Sequence, residues 1–290
     1  MFLLQFYKKE WGKIKLKEYK IDNHVSSFLP EEINWKLVWN DEFDGTELDR
    51  TKWDYRLSIW GNRHVTFDDE GVRLDGNSNA VFSIYEKNGE ICSSHLQTGY
   101  NYMDAIRGNE DCWGGGLIWP IGDFKKHKFT HKYGYYECRC KLQKKPGWWS
   151  AFWLQSPTIG TSPVPENAGV ENDIMESFKP GIISQHCNHY NGYGGDHKFI
   201  KTGKRRNIAL DEYHTFGMHW SKNGYIFYVD GKKDGRIEGP VSHTEQFILL
   251  STEVDGYRQK RLTATDEARA AVGDEFIVDY VRVFDEVSEI

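Results

Sequence analysis

From Trp35 onward, apolar and polar residues alternate in short runs broken by Gly, Asn and Asp. Alternation with a period of two belongs to half-buried strands, and the breakers mark the turns between them. Lys36-Leu37-Val38-Trp39 reads as a strand, with Asp41 to Gly45 turning out of it. Val72 to Gly76 and Ala80 to Tyr85 are strand-like, and Lys87-Asn88-Gly89-Glu90 reads as a hairpin turn. Tyr133 to Leu142 alternates, placing Tyr135, Glu137, Arg139 and Lys141 on one face. Trp149 to Gln155, Tyr225 to Val229 and Phe276 to Phe284 complete the run of strands. Helix propensity is confined to Thr265 to Ala271, about two turns. Many short strands and almost no helix predict an all-β fold of two packed layers, a sandwich or barrel. Residues 1–34 are Lys-rich and aperiodic, and read as an N-terminal extension that packs on, or extends from, one domain over 35–286.

Within this pattern lies the segment E-N-D-I-M-E, residues 171–176. In a strand Glu171 and Asp173 point to one face, and Glu176, five residues on from Glu171, to the other. One inserted residue, a β-bulge, returns Glu176 to the acidic face. Carboxyls crowded on one face repel, and the arrangement suits chemistry that needs two acids of different proton affinity. Cleavage of a glycosidic bond is such chemistry, and carboxyls about 5–5.5 Å apart belong to a retaining enzyme. A solvated acidic turn has the same composition, and the segment alone does not separate the two.

Composition narrows the partners. The net charge is −6 with both signs interspersed and no basic block, which excludes nucleic acid as the main partner. Aromatic residues make up 15% and include 11 Trp; most serve a core, and a surplus suits a sugar cleft. Cys92, Cys112, Cys138, Cys140 and Cys187 are odd in number and lack zinc-ligand spacing, so free thiols are expected. The N-terminus has no signal-peptide pattern and no apolar run reaches 18 residues. The chain as given reads as cytoplasmic, with no membrane partner; a secreted protein trimmed of its signal is the alternative.

Seven segments in order resemble glycoside hydrolase family 16. They are W-K-L-V-W-N-D-E-F-D-G-T-E-L-D at 35–49, Y-G-Y-Y-E-C-R-C-K-L at 133–142, G-W-W-S-A-F-W-L at 147–154 and the acid motif at 171–176. Y-H-T-F-G-M-H-W at 213–220, Y-V-D-G-K at 228–232 and I-V-D-Y-V-R-V-F at 277–284 follow. The resemblance implies a β-jelly-roll sandwich of two antiparallel sheets with a concave substrate cleft. It implies retaining endo-hydrolysis of a β-linked polysaccharide or oligosaccharide, without a catalytic cofactor, by a monomer. By motif position Glu171 is the nucleophile, Glu176 the general acid/base, and Asp173 tunes the nucleophile. The bulged spacing matches the branch with laminarinases, agarases, porphyranases and κ-carrageenases.

For the cleft, the resemblance implies Trp149 and Trp153, then His189 with His186 as its rival. It also implies Trp60 and Asn62 of an early W-G-N loop, in which Arg63 follows as a candidate of this sequence's own; Trp113, beside a run of glycines, is a further candidate for the cleft border. The glycine-rich loop Tyr193 to His197 suits a wall of the cleft. Glu42 and Asp279 match positions that hold a structural Ca²⁺ in many members. Two departures stand out. Asn172 replaces the usual aliphatic residue after the nucleophile, and Arg63-His64 follows W-G-N where acidic and amide residues are expected. β-1,3- or mixed-linkage glucan is the expected substrate. The alternatives are a β-galactan of the agarase, porphyranase or carrageenase type, or a transglycosylase or carbohydrate-binding protein on the same fold.

Overall fold

The computed structural model describes residues 15–104 and 125–287. A hairpin of β1 (Leu16–Tyr19) and β2 (Ser27–Pro30) leads into β3 (Asn34–Asp41). Short strands β4 (Asp54–Tyr55), β5 (Val72–Leu74), β6 (Ala80–Ser83) and β7 (His95–Gln97) follow. Next come β8 (Gly134–Lys141), β9 (Trp148–Gln155), β10 (Glu171–Ser177), β11 (His186–Tyr190) and β12 (Lys198–Thr202). The last are β13 (His214–Ser221), β14 (Gly224–Val229), β15 (Lys232–Ile237), β16 (Phe247–Val254) and β17 (Glu275–Val287).

These strands make two antiparallel sheets, the architecture of a jelly-roll sandwich. One has the order β12-β11-β10-β9-β16-β7-β4. The other runs β15-β14-β13-β8-β17-β6-β5, with β3 paired along β17. Consecutive strands pair in the runs β9 to β12, β13 to β15 and β5 to β6, while pairs such as β9-β16, β16-β7, β13-β8 and β17-β6 join distant parts of the chain, so the core forms only when both sheets are assembled. Alternation decides what enters it. On β8, Tyr136, Cys138 and Cys140 face the layer between the sheets, where they meet Phe152, Ile174 and Leu250 of the facing sheet. Trp53, Trp148 and Trp220 are fully buried, so much of the aromatic content is structural. The helix expected near Thr265 spans Asp266–Ala270, and Thr265 caps it by accepting the Ala268 N–H at 3.1 Å.

The β1–β2 hairpin packs on the outer face of the eight-stranded sheet. Leu29 joins Tyr135, Tyr228 and Phe284 in a small second core. Residues 16–30 are thus part of the folded unit, and the expected boundary at residue 35 falls one residue inside β3. Beneath the hairpin, fully buried Arg282 donates to both Glu42 oxygens, at 2.9 and 2.7 Å, and to Ser27 Oγ at 2.8 Å. The Ser27 and Tyr280 hydroxyls each donate to Glu137 Oε1 at 2.7 Å. This corrects the calcium expectation. Glu42 is engaged by Arg282, and Asp279 by the Arg139 guanidinium. A carboxylate held by an arginine sits in a field that repels a dication, so these two side chains do not fit Ca²⁺ as placed.

Candidate active site

The expected bulge lies at Ile174. Phe152 pairs with Met175 and Trp153 with Asp173, so Ile174 is the unpaired extra residue of β10. Ile174 and Met175 both enter the main core. Glu171, Asp173 and Glu176 therefore share the outer face of the seven-stranded sheet, as the parity argument requires. On the inward side, buried Asn172 lies directly across the strand pair from buried Asn188, and neither side-chain amide has a hydrogen-bond partner among the described residues.

Each glutamate is held on one oxygen. The Tyr193 hydroxyl donates to Glu171 Oε2, and Gln155 Nε2 donates to that oxygen at 3.3 Å and to Tyr193 Oη at 2.6 Å. Trp149 Nε1 donates to Glu176 Oε1 at 3.2 Å. Between them, Asp173 Oδ2 lies 3.2 Å from His189 Nε2. Burial lowers the His189 proton affinity, but hydrogen bonds with Asp173 and Cys187 overcome this and raise it to about 11, so the ring is a cation. Burial first, and then the Asp173 charge, push the Glu171 carboxyl up to about 7. The same causes in the same order push Glu176 up to about 8. Glu171 is relieved by His189, Tyr193 and Arg56, and Glu176 by Arg258. Both carboxyls are thus raised, and Glu171 has the more hydrogen-bonded and counter-charged surroundings.

Trp149 and Trp153 form an aromatic patch with Phe247, Leu249 and Phe178 on the face that carries the acids. Trp153 Nε1 donates to Ser251 Oγ at 2.9 Å, and the Arg56 guanidinium lies over its ring at 5.5 Å. His189, opposite Glu171 across β10 and β11, is the histidine beside the acids. Its rival His186 faces the core, stacked on Phe227 and bonded to the Ile174 carbonyl at 2.7 Å.

Trp60, Asn62 and Arg63 are exposed on a short hairpin in which Asn62–Arg63 pairs with Ser58–Ile59, and among the described residues no hydrogen bond or ring contact joins them to the acids. Asn62 Nδ2 donates to the Trp60 carbonyl and Arg63 Nη1 to the Leu57 carbonyl. The Trp60 N–H donates to Asp104 at 3.3 Å, and Asp104 holds Arg56 at 2.7 Å, which ties the loop to Trp153. Trp113 lies outside the described residues.

Three residues of the site, Gln155, Arg56 and Arg258, were not singled out from sequence. Gln155 shares the parity of Trp149 and Trp153, which was signal enough to find it. The Tyr193 loop, expected as a wall, places His197 on the cavity beside Glu176 and also supplies a hydrogen bond from Tyr193 to Glu171. A close approach places it, since a Cβ on Gly160 (φ +81°) would lie 2.7 Å from Gly192 Cα. Arg56 and Arg258 come from remote loops and carried no local signal. Arg258 lies over the Trp149 and Phe178 rings at 5.0 and 4.2 Å.

Residues 54–247 match the family model described as glycosyl hydrolases family 16. Over 216 residues, 70% of this chain, the sequence is 28% identical to glucan endo-1,3-beta-glucosidase A1 of Niallia circulans. Over 278 residues, 87% of this chain, it is 26% identical to a beta-glucanase of Rhodothermus marinus. The matched regions span 29% of the first relative's length and 85% of the second's. The fold is similar to the crystal structure of a laminarinase from Flavobacterium sp. UMI-01, with a TM-score of 0.63 and 22% identity, over 86% of this chain and 100% of that one.

Proposed function

The chain belongs to glycosyl hydrolases family 16, and we propose that it is an endo-acting, retaining β-glycanase whose leading substrate is β-1,3- or mixed-linkage glucan. One observation carries this reading. The bulge at Ile174 puts Glu171 and Glu176 on one face, with Glu171 in the more hydrogen-bonded and counter-charged surroundings.

Glu171 acts as the ionised nucleophile. Gln155 and Tyr193 both bind Oε2, which fixes the carboxylate plane and leaves Oε1 to attack the anomeric carbon. Glu176 acts as the acid. Trp149 bonds its Oε1, so Oε2 carries the proton to the departing glycosidic oxygen. The glycosyl–Glu171 ester then forms, and Glu176, now a base, takes a proton from water as that water displaces Glu171. Two inversions at one carbon retain the β configuration. The Asp173–His189 pair sits between the two groups; its anion keeps the Glu176 proton in place, while its cation moderates the effect on Glu171. No step requires a cofactor. Glu42 and Asp279 have no part in this reading, and neither does calcium, because arginines already hold both carboxylates.

A β-galactan bearing sulfate is the second reading, and a specific observation favours it. A cavity of about 570 Å³ opens beside Glu176, and Lys179, Lys201, Arg205 and Arg258 line it. Glu176 is the one carboxylate among its lining residues. Four Lys and Arg side chains gathered in one pocket of a chain of net charge −6, with the His189 imidazolium beside them, suit an anionic sugar substituent. A hydrolysis screen over laminarin, lichenan, agarose, porphyran and carrageenan separates the readings. Release of reducing ends from laminarin or lichenan supports the first. Activity confined to porphyran or carrageenan replaces it with the second, and no hydrolysis of any of them removes both.

A further inference from the structure

Among the described residues, Asp173, Cys187 and His189 bring one oxygen, one sulfur and one nitrogen within 4.8 Å of one another. The register explains how. Cys187 is directly opposite Asp173 across β10 and β11, and His189 is two residues further along β11, on the same face. His189 Nε2 lies 3.2 Å from Asp173 Oδ2 and 3.3 Å from Cys187 Sγ. In a tetrahedral site with zinc–ligand bonds of about 2.0–2.3 Å, neighbouring ligand atoms stand about 3.4–3.6 Å apart. The two measured separations are within a few tenths of an ångström of that spacing.

The support around the histidine has the form of a metal site as well. A ligating imidazole is usually fixed through its other ring nitrogen. Here His189 Nδ1 is hydrogen-bonded to His197 Nε2 at 2.7 Å, and the two rings stack at 5.0 Å, nearly parallel at 8°. That bond holds the ring so that Nε2 faces Asp173 and Cys187. Access comes from the cleft. Cys187 and His189 both line the cavity beside Glu176, so the cluster is reached without unfolding the sheet; the Lys and Arg side chains on the same lining oppose a cation there, and the three donors must outweigh them.

We propose that Asp173, Cys187 and His189 form a binding site for a borderline divalent cation of the Zn²⁺ class, with the fourth position open to the cavity, and that its occupancy switches hydrolysis off. The mixed sulfur, nitrogen and oxygen donors select zinc-like ions over Mg²⁺ or Ca²⁺, which take oxygen alone. On binding, the ion displaces the proton of His189 Nε2 and that of the Cys187 thiol, and both leave to solvent. No oxidation or reduction is involved. The Asp173–His189 contact is broken, and a dication lies against the strand that bears both glutamates. The effect on turnover rests on the hydrolase reading; the binding itself does not.

Co²⁺, which replaces Zn²⁺ and reports thiolate bonding by a near-ultraviolet charge-transfer band, is titrated into the full chain without substrate. The expected result is one equivalent bound with that band, displaced by Zn²⁺ and absent in Cys187→Ser. Cys92→Ser, at a thiol remote from the cluster, should retain the band. In a parallel assay, Zn²⁺ should lower the hydrolysis rate at least tenfold and EDTA should restore it. Cys187→Ser should lose most of that sensitivity, relative to its own metal-free rate. A missing band, or a band unchanged in Cys187→Ser, overturns the site. A band without inhibition of an active enzyme retains the site and overturns its control of turnover. A chain that binds Co²⁺ yet hydrolyses nothing leaves the site standing and removes the hydrolase reading instead.

Discussion

On the outer face of the eight-stranded sheet, Glu42 and Glu137 are gathered around Arg282, Ser27 and Tyr280, and every contact is a donor meeting an acceptor. On the outer face of the seven-stranded sheet, three carboxyls crowd beside the His189 imidazolium, with Arg56 and Arg258 near the two glutamates, and both glutamates hold protons well above the usual carboxylate range. Both clusters are largely shielded from water and both stand on long strands. Burial raises Glu137 as well, but its nearest partners, Ser27, Tyr280 and Arg282, oppose that rise, whereas Asp173 adds to the rise of Glu171 and Glu176; the clusters differ in balance. A buried charge that meets its full complement of partners holds a hairpin in place and does little else. A buried group short of counter-charge stores a readiness to exchange protons or to attack. The difference separates a structural cluster from a reactive one within a single fold.

Opposite mutations should therefore give opposite profiles. Glu171→Gln should lower kcat/KM by several orders of magnitude while Tm holds or rises, because a neutral amide is easier to bury than a carboxylate. Steady-state rates and a thermal melt of the same preparation check this. Arg282→Leu should do the reverse. It leaves Glu42 buried without its cation, at a cost of about 3–5 kcal/mol, and the fraction that stays folded should keep near-native kcat/KM. Denaturant titration and rates per folded molecule decide the matter. A large loss of specific activity in folded Arg282→Leu would erase the distinction between the two faces.

The pH dependence sharpens the comparison with a smaller effect. Reaction needs Glu171 ionised and Glu176 protonated. The rate per enzyme and substrate should rise as pH passes about 7 and fall, about tenfold per unit, as pH passes about 8. Stability has its own sign. Both folded values lie above the unfolded 4.5, so the folded state binds more protons. That contribution is full below pH 4.5 and is lost as pH rises through 7 and 8. Tm should fall over this window in the wild type and fall less in Glu171→Gln. A flat kcat/KM between pH 6 and 9 would contradict the assigned roles.

The acid face was legible because sheet parity is a local property. Glu171, Asp173 and Glu176 could be aligned by counting residues and inserting one bulge, and Trp149 and Trp153 followed by the same count. His189 and His186 differ by three positions and so take opposite faces, which the alternation of β11 exposes. What was not legible depends on loops. Arg56 reaches Trp153 through a turn more than ninety residues earlier, and Tyr193 reaches Glu171 only because Gly160 and Gly192 permit two backbones to touch. The calcium expectation failed for a related reason. Matching Glu42 and Asp279 by position could not reveal that arginines on β17 and β8 had claimed them.

The central claim is that Glu171 and Glu176 carry out a double displacement, and Glu176→Ala tests it most directly. Glycosides with poor leaving groups need the Glu176 proton, so their turnover should fall by about 10²–10⁴; activated aryl glycosides should lose far less. Added azide needs no base to attack the glycosyl–Glu171 ester. It should restore turnover of the aryl substrate and release a glycosyl azide whose anomeric proton, by NMR, has the β configuration. An α-glycosyl azide would mean that azide displaced the leaving group directly, with no ester on Glu171. Equal loss on both substrates without any azide product would contradict the acid/base role of Glu176 and shift the search for the proton donor to Asp173.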